Sequence, residues 1–163
     1  MIVFVNILYS GRPNPKDFNL PSDYNFAEWV NLFYKIYTEK SNYIDAKTQC
    51  ESDGTFLAIP RSQAENDFFA ALIAVESIWI GINDIEEEGN FVDVNGLDPI
   101  FTNWYSDEPS GSGSNVADED GVELYLSRHD GLWNDLGINA KLKFVCSIHI
   151  QGINFNHYSY FFK

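Results

Sequence analysis

The order of its hydrophobic periodicities constrains this chain most, because helical spacing occurs twice early and does not return. In residues 42–52 the apolar positions Tyr43, Ala46 and Cys50 recur at intervals of three and four, and Gly54 supplies a stop. A second helix has a clear start: Ser62 precedes Glu65 at the spacing that lets the two side chains reciprocally satisfy free amides of the first turn. Phe68, Leu72 and Val75 give it an apolar face, widened by Phe69 and Ile73, so the sequence predicts a helix to about Val75. Residues 33–38 mix β-branched and aromatic side chains with polar ones and read as a strand. After the second helix only short strand-like pieces follow, at 78–82, 90–94, 122–126 and 142–148, separated by turn-rich stretches. Helices early and strands late predict an α+β domain.

A chain of 163 residues suits one domain, and a 45% hydrophobic, 16% aromatic composition can build its core. Ten basic against 24 acidic residues leave a net charge of −14, which argues against nucleic acid as a partner. No run approaches the roughly 18 apolar residues of a membrane span. Residues 1–9 are apolar like the core of a secretory signal but lack a basic start and a cleavage site, so they read as a partial signal or a first strand. Pro13, Pro15 and Pro21 mark an extended leader. The division that results is a leader at 1–32, a domain at 33–150 and a tail at 151–163, the last carrying Phe155, Tyr158, Tyr160, Phe161 and Phe162 without periodicity.

The acidic residues gather in two clusters, Asp84, Glu86, Glu87 and Glu88, then Asp118, Glu119, Asp120 and Glu123. Such clusters repel themselves unless solvated or neutralised by a cation, and hard carboxylate oxygens suit calcium. Between Asn95 and Gly121 runs a long polar stretch rich in Gly, Ser and Pro, a length that compact domains keep for binding unless it is a disordered insertion. Residues 84–89 imitate the start of an EF-hand loop, but Asn95 stands where the closing Glu belongs and no helices flank it. Cys50 and Cys146 are too few for a zinc site of paired cysteines; they fit two buried thiols or one disulfide equally well. Glu123 and His129 show no zinc-binding pattern, and no GxSxG nucleophile motif occurs, so catalysis has no support in the sequence.

Taken in order, Trp79-Ile80-Gly81-Ile82, Asp84, Glu88, Trp104, Glu108-Pro109-Ser110, Glu119-Asp120, Trp133-Asn134-Asp135 and Phe144-Val145-Cys146 resemble the C-type lectin domain from about residue 33 to 148. The first tetrapeptide resembles that family's core strand, the Glu-Pro-Ser triplet its EPN and QPD sugar motifs, and Trp-Asn-Asp its calcium-binding strand. The resemblance implies a C-type lectin fold, with two helices, antiparallel sheets and a long calcium-binding loop. It implies a Ca2+ ion held by Glu108, Ser110, Glu119, Asn134 and Asp135, with a cis bond before Pro109. Glu108, Ser110, Glu119 and Asn134 would also contact the sugar, Asn134 giving its carbonyl oxygen to the ion and its NH₂ to a hydroxyl. A second, auxiliary calcium would take Asp84, Glu88, Glu119 and Asp120. Cys50 and Cys146 would be joined, and Trp79, Trp104 and Trp133 would anchor the core.

Three departures from the family pattern bear on these expectations. Its inner disulfide would join the positions of Gly121 and Ile138, Gly111 stands where a further auxiliary-site acid belongs, and Ser110 replaces the Asn or Asp of the sugar motif. The expected function is a secreted, extracellular, calcium-dependent lectin and not an enzyme, binding sugars of the mannose, glucose and fucose type or of the galactose type, with oligomers possible. The alternative is a C-type-lectin-like domain whose ligand is a protein or a surface.

Overall fold

The computed structural model describes residues 13–73, 76–110, 119–125 and 131–150. Its helices are α1 (Tyr43–Ser52) and α2 (Gln63–Leu72). The strands are β1 (Asn25–Ala27), β2 (Leu32–Ser41), β3 (Phe56–Leu57), β4 (Ile78–Asn83), β5 (Val92–Asp93), β6 (Gly121–Tyr125), β7 (Leu132–Leu136) and β8 (Leu142–His149). They form one sheet in the order β1-β2-β8-β4-β6-β7, with β3 against β8 and β5 against β4. Both expected helices are present beside this sheet, in the α+β arrangement the sequence predicts.

The sheet is mixed rather than purely antiparallel. Ile78 and Trp79 of β4 pair in parallel with Lys143 and Phe144 of β8. Parallel neighbours need a long crossover, and the whole stretch from β5 to β7 lies between these two strands. The sheet also begins earlier than residue 33, because β1 pairs with β2 from Asn25↔Tyr34 to Ala27↔Leu32. Leu20, Tyr24 and Phe26 are buried, so this part of the stretch assigned to a leader belongs to the core. Apolar side chains in a proline-rich context gain by covering Phe33, against whose ring Phe18 and Phe26 both pack at 5.1 Å.

Both helices start where the sequence places them. Asn42 caps α1 by accepting from the Asp45 amide at 2.8 Å, and Ser62 caps α2 by accepting from the Glu65 amide at 3.3 Å. The return bond of Glu65 goes one residue further back than a reciprocal box requires, to the Arg61 amide at 2.9 Å. The expected helix end at Val75, the strand end at Leu126, His129, and the segments 1–9 and 151–163 lie outside the described residues. The predicted strand at 90–94 shrinks to β5, because Asp93 turns the chain by accepting from the amides of Asn95 and Leu97 at 2.7 and 3.1 Å.

One core cluster packs α2 against the sheet through Phe69, Ile80, Val122, Leu124 and Trp133; the other packs α1 against it through Tyr43, Ala46, Trp79 and Phe144. Cys50 of α1 and Cys146 of β8 form a disulfide in the second cluster, S–S 1.97 Å. Trp79 and Trp133 are fully buried and satisfy their indole N–H groups on the Ser41 carbonyl and the Asn66 side chain, at 3.0 and 2.7 Å. Trp104 is half-buried between Phe91 and Trp133, with ring centroids at 4.9 and 5.6 Å. Gly81 is required by a close approach: a Cβ there would stand 2.5 Å from the Leu57 carbonyl oxygen.

Candidate calcium and sugar site

β6 and β7 form the platform of the candidate site. Their antiparallel register sets Val122 opposite Asp135 and Glu123 opposite Asn134. Trp133 fixes the loop that approaches β7: its amide donates to the Asn103 carbonyl at 2.8 Å, and its carbonyl accepts from the Tyr105 amide at 2.9 Å. Glu108 then closes a turn onto the Tyr105 carbonyl at 3.0 Å, and the Glu108–Pro109 bond is cis. The Ser110 amide, immediately after this bond, donates to both carboxylate oxygens of Asp135 at 3.1 and 3.0 Å. Glu108-Pro109-Ser110 and Trp133-Asn134-Asp135 are thus brought face to face.

The electrostatics of this junction are those of crowded carboxylates. Burial pushes the Glu108 carboxyl up from the ordinary range, and its neighbours Asp135 and Glu119 push it further, against a lowering hydrogen bond from the Ser110 side chain. Burial and the charge of Asp135 push Glu119 the same way. Asp135 is 2% exposed, and Glu108 Oε2 is buried without a hydrogen-bond partner. Asp84, 3% exposed, is raised by burial and by the charges of Asp120 and Asp135; its Oδ2 accepts from the Gly89 amide at 2.7 Å and its Oδ1 has no partner. A negative field therefore runs from Asp84 through Asp135 to Glu108. Glu88 lies exposed at the rim of the loop after β4.

Among the described residues no group of three or more His, Cys, Asp or Glu side chains stands in a metal-holding arrangement. The donor set expected from the sequence is mixed, carboxylates with an amide and a hydroxyl, and Gly111 lies outside the described residues. Its chemistry fits calcium: hard oxygens, one of them buried and unpartnered, on acids that resist ionising together.

Asn134 differs from the expected division of labour. Its Nδ2 donates to Glu123 Oε1 at 3.0 Å and to the Asp135 carbonyl at 2.7 Å, so both amide hydrogens already have acceptors. The cause is the register that places Glu123 directly opposite. Glu123 is 6% exposed, and its carboxyl is raised by burial against lowering hydrogen bonds from Ser77 and Asn134. A carboxylate between the apolar Val122 and Leu124 was the signal available in the sequence.

Residues 39–148 match the family model described as the lectin C-type domain. The chain belongs to the C-type lectin domain family. Collectin-10 of Xenopus tropicalis is 40% identical over 119 residues, 70% of this chain but 41% of that protein. The chain thus spans less than half of this relative. Lectin BRA-3 of Megabalanus rosa is 31% identical over 134 residues, 81% of this chain and 80% of that protein. Among solved structures, the human scavenger receptor C-type lectin carbohydrate-recognition domain superposes with a TM-score of 0.70 at 26% identity, covering 80% of this chain and 98% of that one. Among the described residues no helix of this C-type lectin domain is long and apolar enough to cross a membrane.

Proposed function

We propose that this C-type lectin domain binds carbohydrate through calcium, and that it works outside the cell as a binding module without catalysis. One observation carries the reading: Glu108, Glu119 and Asp135 crowd one another, with Glu108 Oε2 buried and unpartnered, at the junction of the two triplets. A cation would relieve this crowding and give the unpartnered oxygen a partner, and family membership together with relatives named as lectins supports a sugar as the ligand.

Glu108, Ser110, Glu119, Asn134 and Asp135 would hold the ion. Bound calcium supplies open coordination positions that adjacent sugar hydroxyls can fill. The chain's own residues do the rest. The Ser110 amide keeps the Asp135 carboxylate in place, and Glu108 and Glu119 accept hydrogen bonds from sugar hydroxyls. Asn134 donates to a sugar oxygen by giving up its bond to the Asp135 carbonyl, while its bond to Glu123 persists. Ser110 offers a hydroxyl where an amide would give two donors, which leaves sugars of the mannose, glucose and fucose type and of the galactose type both in play. Asp84, Glu88, Glu119 and Asp120 form the auxiliary calcium position of the same proposal.

The test is a glycan array read in calcium and again in chelator, followed by titration of the best ligand. We expect calcium-dependent binding of monosaccharide-terminated glycans. Binding that survives the chelator, or an empty array in saturating calcium, overturns the proposal.

A further inference from the structure

We propose that Glu123 is a positioning residue of the calcium site, holding the Asn134 amide so that its carbonyl oxygen is the atom presented to the cation. The inference rests on the reading that Asn134 is a calcium ligand, and it concerns what makes Asn134 competent. An asparagine amide can sit in either of two orientations that differ by exchange of its oxygen and nitrogen, and only the neighbours choose between them. Here two acceptors surround the nitrogen, Glu123 Oε1 at 3.0 Å and the Asp135 carbonyl at 2.7 Å. The opposite orientation would set the amide oxygen against both, leaving two acceptors without a hydrogen and an oxygen facing a buried acid.

The Asp135 carbonyl cannot be the whole device, since that bond is the one a sugar hydroxyl would replace. Glu123 can be. It lies on β6 in direct register with Asn134 and with Trp79 on the other side, it is 6% exposed, and Ser77 supplies a further hydrogen bond to it. Its reach and orientation are therefore fixed by strands that do not belong to the long loop. A buried acid between two apolar residues contributes nothing to packing that a leucine would not; its value lies in an acceptor aimed across the sheet.

Two substitutions separate reach from charge. Glu123→Gln removes the charge but keeps an acceptor at the same distance, with Ser77 free to rotate and accept from the new NH₂. Glu123→Asp keeps the charge but withdraws the acceptor by one methylene. By titration calorimetry we expect Glu123→Gln to hold calcium within about threefold of the parent chain and Glu123→Asp to bind roughly tenfold more weakly. In chelator, the Asn134 side-chain amide resonances, assigned by their loss in Asn134→Asp, should keep their hydrogen-bonded positions in Glu123→Gln and shift in Glu123→Asp. Equal loss in both variants would show that charge matters rather than orientation and would overturn the inference, as would unchanged affinity and resonances in Glu123→Asp. Failure of the parent chain to bind calcium would instead sink the function proposed above.

Discussion

Glu108 is held by two opposing demands, since the loop buries one of its oxygens without a partner while Asp135 and Glu119 make its charge costly. Replacing it with glutamine removes the charge and keeps the shape. Losing a hydrogen-bonding or ligating charge costs on the order of 1.5–3 kcal/mol, so Glu108→Gln should weaken calcium binding about tenfold to a hundredfold by titration. In chelator the same variant should melt at a higher temperature than the parent, because one of the mutually repelling acids is gone; a lower midpoint there would mean the site is not strained by charge. Asn134→Asp acts in the other direction: it sets a carboxylate against Glu123 and the Asp135 carbonyl, where the amide had donated to both. Sugar affinity at saturating calcium should fall about tenfold or more, and an unchanged glycan titration would place the ligand elsewhere. The triplets containing Glu108 and Asn134 could be read in the sequence because the residues that act together are also consecutive. For Glu123 the sequence offered only a carboxylate between two apolar residues; its pairing with Asn134 depends on the register of β6 with β7, a long-range fact that a local pattern does not contain.

Both helices were legible because their signals are local: a cap, a spacing of three and four, a stop. The short strands were not. β1 and β3 have three and two residues, too few for an alternation to show, and the parallel pairing of β4 with β8 depends on how distant segments meet. What holds β3 in place is visible at Gly81, whose amide donates to the Ala58 carbonyl at 2.8 Å while β3 passes over its α-carbon. A methyl group at that position would lie 2.5 Å from the Leu57 carbonyl oxygen and 2.9 Å from Ile59 Cγ1, and the first of these is backbone that cannot swing aside. Gly81→Ala should therefore destabilise the fold by about 1–3 kcal/mol, measured as a lower denaturant midpoint with an unchanged slope. An unaltered midpoint would show that β3 can lift off β4 without cost.

At the scale of the molecule, one covalent link ties α1 to β8, and the family's second link is replaced by packing. A Cβ on Gly121 would stand 3.1 Å from both Tyr43 and Trp79 and 3.4 Å from Ile138, so apolar side chains fill the place where a disulfide would sit. The platform strand β6 is thus held to the core by contacts alone, next to acids that repel each other, in a chain of net charge −14. Calcium should then carry part of the stability. A ligand bound only by the native state adds RT ln(1 + [L]/Kd), about 2.7 kcal/mol at a hundredfold excess over Kd. The pH dependence follows from the raised carboxyls of Glu108, Glu119 and Asp84. A group whose folded pKa is raised contributes stability that is present below its unfolded pKa and is lost as pH rises through the folded value. Without calcium, acidification should relieve the site's repulsion as these raised carboxyls take up protons; with calcium, the same protons compete with the ion. The melting midpoint in calcium minus that in chelator should be largest at neutral pH and shrink as the pH is lowered. Asp23 and Glu76, whose carboxyls are held below the usual range chiefly by hydrogen bonds from lysines, are common to both conditions and cancel in the difference. Scanning calorimetry in the two conditions at several pH values measures it. No gap at pH 7 would mean that these acids do not bind calcium, and a gap that does not change with pH would mean that calcium binds away from the raised carboxyls.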